Sequence, residues 1–233
     1  MPVPIGYHAE KQLSAKERAF QQIQEWIIDG TLLPGEKIND MDLAKAINIS
    51  RTPVREALQM LNQQGFVTMK PGVATYVNES NPDDLNQLLP PLAALQSLAS
   101  ELAAACMEEE TIYRLYALNA AFEKALAKND YYVALKQDEL FHKTIVEQCG
   151  NPYLSVITEM LQAHVRKLFF KKEIILEMSS VEEHEKLIAA LEKKDAAAAA
   201  RIAKENWMRP VTEYLRQRTR MKEEGSEGNE CKG

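Results

Sequence analysis

Cysteine is scarce in this chain. Cys106, Cys149 and Cys231 are odd in number and far apart, so neither a disulfide framework nor a CxxC metal or redox motif can be assembled from them. Buried spectators are the expectation. Long apolar runs are missing as well. The opening MPVPIGYHAEKQ lacks the apolar centre of a secretory signal, and no uninterrupted apolar stretch approaches the roughly 18 residues that suggest a membrane span. A soluble, cytoplasmic protein with no membrane partner is therefore expected. An excess of positive charge is also absent: 28 Lys and Arg stand against 34 Asp and Glu, a net charge of −6. The chain as a whole should adhere poorly to nucleic acid, because duplex affinity depends largely on Lys and Arg meeting phosphates. Any such role must be local.

What is present is a globular composition over 233 residues, 45% apolar and 27% charged, enough for one or two domains with real cores. Residues 14–29 place Ala19, Ile23, Trp26 and Ile27 at helical spacing between a Ser14 cap and a Gly30 stop. After the turn Leu33-Pro34-Gly35-Glu36, a short helix is expected around Asp40–Ala46. A third helix follows, with Ser50 as N-cap, Pro53 in its first turn, an inward stripe of Val54, Ala57, Leu58 and Leu61, and an end at Gly65. Residues 66–77, FVTMKPGVATYV, are β-branched and aromatic on both sides of Pro71-Gly72 and read as a hairpin. Three helices and a hairpin make a winged helix-turn-helix, assigned to residues 1–77.

The polar stretch 78–84 interrupts both periodicity and composition and is read as a linker. Residues 85–217 read as six antiparallel helices with short connections, at 107–110, 128–130, 150–152, 178–180 and 194–195. The fold class is thus mainly α, a winged helix-turn-helix followed by an all-α bundle. Pro90 and Pro91 should kink or restart the first bundle helix, because neither can donate to the helical ladder. Residues 218–233 carry no apolar periodicity and are expected to be a disordered tail.

In a helix-turn-helix the second helix of the motif offers its N-terminal residues to base edges in the major groove, where Arg pairs with guanine. Arg51, Thr52 and Arg55 occupy that end, with Arg51 and Arg55 one turn apart on one face. Lys70 and the backbone at Gly72 sit at the hairpin tip, suited to phosphate or minor-groove contact. Residues 43–72 carry Lys45, Arg51, Arg55 and Lys70 against Glu56 alone, so a local positive patch exists within an acidic chain. One such module binds weakly; two related by a two-fold axis match a palindromic duplex, so a homodimer is expected.

The run PGEKINDMDLAKAINISRTPVREALQMLNQQGFV resembles the N-terminal domain of GntR-superfamily transcription regulators, in which a PGE turn, a short helix and SRTPVREAL recur together. The resemblance continues through the bundle, which is similar to the FCD-type ligand-binding domain of the FadR-like branch and, by helix count, to its VanR-type subgroup. It implies that Arg51 and Arg55 contact operator DNA, with Thr52 and the Gly72 wing in support. Many members carry an Arg where this chain has Met41.

Projected at helical pitch, Ala134, Asp138, Phe141, His142 and Ile145 share one stripe, His184 lies with Val181, Leu187, Ile188 and Leu191, and Asn206 with Ala199, Ile202 and Ala203. Four polar groups from three helices thus point inward. They could form a hydrogen-bonded core pair, or hold a divalent metal with open positions for water or a small ligand. In many members of the family an Asp-x-x-x-His pair, a His in a Glu-His dipeptide and a His 22 residues later bind metal. Asp138, His142 and His184 match; Asn206 takes the fourth position. Zinc, nickel or manganese is the implied ion. The family's effector-pairing Arg and the Glu four residues on correspond to Leu92 and Gln96. Asn206 and His164 are candidate effector-pocket residues, His164 lying at the edge of its helix's apolar stripe. Arg166 projects away from that stripe and is expected to be solvated. Pro210 should kink the last helix beside the cluster.

The reading is a sequence-specific DNA-binding regulator, not an enzyme, whose bundle senses a small metabolite, such as a carboxylate, through a metal. Two alternatives stay open: a hydrolase-like metal centre in the bundle, or a bundle that only dimerises around a vestigial cluster.

Overall fold

The computed structural model describes residues 13–79, 84–170 and 176–230. The chain divides into two compact units, Met1–Ser80 and Asn81–Gly233. In the first, α1 (Ala15–Ile28) begins at Ser14, which accepts from the Glu17 amide while the Glu17 carboxylate accepts from the Ser14 amide. This reciprocal cap satisfies two donors that the helix start would otherwise leave open. A two-residue strand, β1 (Lys37–Ile38), precedes α2 (Asp40–Ile47), capped by Asn39. Then α3 (Arg51–Gln63) begins after Ser50, which has the extended backbone of a cap but makes no side-chain cap bond. Pro53 falls in the first turn of α3, where a missing N–H is harmless.

The hairpin is β2 (Val67–Lys70) and β3 (Ala74–Val77), turning at Gly72 with φ +70°. A positive φ is open to glycine without steric cost, which places it at the tip. The hairpin is not alone: β1 pairs antiparallel with β3, giving the sheet order β1-β3-β2. Two residues are too few to show alternation, so this strand has no sequence signature. Helix α1 packs on α3, and Ala19, Ile23, Val54, Ala57, Leu61 and Phe66 are fully buried.

The second unit contains α4 (Asp84–Ala105), α5 (Glu109–Ala127), α6 (Tyr131–Gln148), α7 (Pro152–Phe170), α8 (Met178–Glu192) and α9 (Ala196–Glu230). Helix α4 lies along α9 and against α7, α5 packs on α6 and α8, and α8 packs on α9. One core cluster joins Leu115, Phe141, Ile145, Leu187, Ile188 and Leu191. A second joins Leu85, Leu89 and Leu92 of α4 to Val165 and Leu168 of α7 and Trp207 of α9. Among the described residues only α4 is long and apolar enough to cross a membrane. Its Leu85, Leu89, Leu92, Ala99 and Ala103 are spent on packing.

Several expectations need correction. Helix α4 runs through Pro90 and Pro91 without a restart. Each proline costs one ladder bond, but the buried Leu85, Leu89 and Leu92 hold the segment from both sides. The break placed at 178–180 lies earlier, because α8 already begins at Met178. Helix α9 continues to Glu230, past the point where a disordered tail was expected. A helix's backbone hydrogen bonds are satisfied internally, so the ladder can run on along the backbone. The cysteines are not buried: Cys106 is exposed and Cys149 half-buried, both free. Cys231 and residues 80–83 of the linker lie outside the described residues.

Leu61 of α3 is fully buried in the head, so Leu61→Ala should destabilise the head by about 2–5 kcal/mol. A urea titration followed through Trp26 in a Trp207→Phe background measures this, and a loss below about 1 kcal/mol would contradict the packing.

Candidate DNA-reading head and metal centre

The N-terminus of α3 presents Arg51, Thr52 and Arg55 to solvent, with the two arginine side chains 56% and 68% exposed. Nη2 of Arg51 donates to both carboxylate oxygens of Asp40, at 3.0 and 3.1 Å, and Nε of Arg55 lies 3.8 Å from Oδ2 of the same residue. Across an open groove of about 770 Å³ stands the wing, where Lys70 and Gly72 are exposed. The Lys70 ammonium lies over the Tyr76 ring at 5.4 Å. Met41, at the start of α2, is 45% exposed. The five DNA-contact candidates therefore all lie on solvent-facing parts of the head. Sequence reasoning missed Asp40, because an acidic residue at a helix start reads as dipole compensation.

In the bundle, α6 supplies Asp138 and His142, and α8 supplies His184. Oδ1 of Asp138 lies 3.5 Å from Nε2 of His184 and 3.9 Å from Nε2 of His142. All three donor atoms fall within 4.8 Å of one another. The rings are held by aromatic neighbours: His184 stacks on Phe141 with centroids 4.0 Å apart, and His142 packs against Trp207 at 4.7 Å. Asn119 of α5 sets the protonation pattern. Its Nδ2 donates to the Val181 carbonyl at 3.1 Å, so its Oδ1, 3.0 Å from Nδ1 of His184, must accept. His184 therefore carries its proton on Nδ1 and turns the Nε2 lone pair toward Asp138. That Nε2 atom is buried and without a hydrogen-bond partner.

Burial sets the charges. It pushes the Asp138 carboxyl up to about 7, with Glu139 adding to the rise and Arg209 opposing it. Burial also lowers His142 to about 3, and holds His184 well below the usual imidazole value, with His142 and Arg209 contributing. Both rings are neutral near pH 7, so the Nε2 lone pair of His184, the His142 imidazole and a carboxyl converge without a charged histidine among them. A divalent ion is the chemistry that satisfies all three at once.

Asn206 lies on the cavity that Asp138 and His142 also line. Its Nδ2 donates to Oε2 of Glu183 at 2.7 Å. The same carboxylate accepts from Nε of Arg209 at 3.0 and 3.2 Å, while the Arg209 guanidinium also donates to Glu177, Glu213 and Ser180. Asn206, Arg209 and Ser180 of this network line a cavity of about 50 Å³ together with Asp138, His142, Trp207 and Pro210. Arg209, three residues past Asn206 on the same side of α9, was missed because the Glu183 carboxylate that engages it comes from α8. It supplies a guanidinium beside the cluster where Leu92 and Gln96, both buried, supply no charge. His164 is half-buried on α7 and does not line this cavity. Arg166 is not solvated: it is 16% exposed and its Nε lies 2.7 Å from Oε1 of Glu139.

A winged head that displays two arginines at a helix start, followed by a helical unit with a buried Asp/His cluster, defines a two-part transcription regulator. Residues 15–77 match the bacterial regulatory proteins of the gntR family, and residues 87–207 match the FCD domain. The chain belongs to the GntR family of transcription regulators that carry an FCD domain, and is a regulator rather than an enzyme. It is 28% identical over 221 residues to the Uxu operon transcriptional regulator of Escherichia coli, covering 81% of this chain and 84% of that protein. It is also 28% identical over 200 residues to the transcriptional regulator LutR of Bacillus subtilis, covering 74% of this chain and 89% of that protein. The solved structure of McbR/YncC from E. coli superposes with a TM-score of 0.76 at 23% identity, covering 88% of this chain and 99% of that one, and shows the same fold.

Asn119→Ala removes the acceptor for Nδ1 of the buried His184 and the donor to Val181, and should cost about 1–3 kcal/mol of stability. Chemical denaturation of the metal-free protein measures it; no detectable loss would show that His184 does not depend on Asn119.

Proposed function

We propose that the chain binds a palindromic operator as a homodimer, and that its bundle holds a divalent cation at Asp138, His142 and His184 through which a small effector changes operator affinity. The observation that carries the sensing half is the orphaned Nε2 of His184 aimed at Asp138. One carboxylate oxygen and two imidazoles suit zinc, nickel or manganese and leave positions free for water or for an effector carboxylate. Asn206 acts outside the ligand set, holding Glu183. The cavity of about 50 Å³ has room for an ion and a very small ligand, whereas metabolite pockets run to roughly 300–1,000 Å³. A larger effector therefore has to displace the Asn206–Glu183–Arg209 network, and that displacement gives it a differential affinity for two states.

Two observations support the dimer. The local positive patch is small for a duplex of high charge density. The packed helices α4 and α7 also leave Leu98, Leu102, Tyr153, Val156 and Ile157 exposed, between 39% and 78%, as a surface awaiting a second copy does. Arg51, Thr52 and Arg55 would read bases, Lys70 and Gly72 would meet the backbone, and the place of action is the cytoplasm, where the DNA is.

Selection of duplexes from a randomised pool, followed by anisotropy measurements, tests the reading. The protein should prefer the selected duplex over a scrambled one, with affinity falling steeply as salt rises. Arg51→Ala should weaken the selected duplex by roughly tenfold or more and the scrambled one little. Equal loss on both, or no preference to begin with, would overturn it.

A further inference from the structure

The groove between α3 and the wing is lined by Lys37, Arg55 and Lys70, as a duplex-binding surface should be, and by a single carboxylate, that of Asp40. A negative charge there repels phosphates and lowers affinity for every sequence alike. Its contribution to folding is small: it lies in the first turn of α2, where the helix dipole favours it modestly, and its partners are more than half exposed, where ion pairs contribute little. What Asp40 does have is geometry. It is only 23% exposed, it is anchored on the backbone of α2, and both of its oxygens accept from Nη2 of Arg51, with Nε of Arg55 next to them.

A free arginine side chain samples many rotamers, and guanine recognition needs its planar fork in one of them. We infer that Asp40 is a positioning residue for base recognition: it holds the Arg51 guanidinium, and more loosely that of Arg55, in the orientation offered to base edges. The cost falls on nonspecific binding, which is the binding a regulator in a large excess of wrong sequence has least use for. This rests on the proposal that Arg51 reads the operator. Asp40 does not itself need to touch DNA.

The two roles of a carboxylate here, repelling phosphates and aiming an arginine, move affinities in opposite directions, so they separate cleanly. The probes are the duplex selected by the wild-type protein and its scrambled counterpart, at one fixed salt concentration. Asp40→Asn should bind the scrambled duplex a few-fold more tightly and the selected duplex about tenfold less tightly. Asp40→Glu, which keeps the charge and can regain the contact, should recover most of the discrimination. In an Arg51→Ala background, Asp40→Asn should no longer change the ratio of the two affinities. If Asp40→Asn tightens both duplexes in parallel, or lowers discrimination as much without Arg51 as with it, Asp40 does not act through Arg51 and the inference fails. If Arg51→Ala alone leaves discrimination intact, the operator reading itself fails and the inference with it. Melting temperatures of the variants show whether a loss is one of folding.

Discussion

Two buried, neutral imidazoles beside a half-buried carboxyl have more lone pairs than protons, and much of the bundle is arranged around that imbalance. Asn119 on α5 accepts a hydrogen bond from Nδ1–H of His184 through its Oδ1. Phe141 and Trp207 hold the two rings from α6 and α9. The result is a buried Nε2 lone pair 3.5 Å from an Asp138 oxygen that can donate to it when protonated but leaves it without a partner once ionised. Such an arrangement costs free energy in an empty core and becomes favourable once a cation shares the lone pairs. The helices α6 and α8 bring these groups together because each also contributes to the apolar cluster of Phe141, Ile145, Leu187 and Ile188.

Beside it lies a second polar system of different character. Arg209 is fully engaged, donating to Glu177, Glu183, Glu213 and Ser180, and Glu183 in turn takes the Asn206 amide. The lone guanidinium is outnumbered by carboxylates, so it is a clamp that a ligand has to open rather than a waiting anion site. The head follows a parallel logic with an opposite purpose: there a carboxylate engages arginines that must stay exposed. In an acidic chain with a net charge of −6, specificity cannot come from bulk attraction. It has to come from a few oriented groups and from two heads acting together.

Much of this was legible in the residues. The Ser50 cap, Pro53 in the first turn and the Val54, Ala57, Leu58, Leu61 stripe set α3 and left its arginines outside. The inward stripes of α6 and α8 put Asp138, His142 and His184 on facing surfaces, because helical periodicity is a local property. What escaped was what depends on neighbours in space. Strand β1 exists only because β3 is there to pair with it. Arg166 finds Glu139 and Arg209 finds Glu183 across helices, and no spacing within one helix reports such pairs. Asn119 did leave a trace, since it sits between Leu115 and Phe122 on the buried side of α5, where a polar residue needs a reason. Pro90 and Pro91 do not restart α4, because their ladder cost is local while the packing that carries the helix through them is not.

The central claim is that the lone pairs of His142, His184 and Asp138 belong to a metal. Calorimetric titration of the metal-free protein with Ni²⁺, which N and O donors bind tightly, at pH 6 and at pH 8 and in buffers of different ionisation enthalpy, tests it most directly. With the Asp138 carboxyl raised to about 7, it is mostly protonated at pH 6 and mostly ionised at pH 8, while the histidines are neutral at both. The account predicts one saturable site per chain, with close to one proton released on binding at pH 6 and almost none from Asp138 at pH 8. Asp138→Asn should abolish the proton release. Absence of saturable binding, or a proton count that does not change between the two pH values, would contradict it.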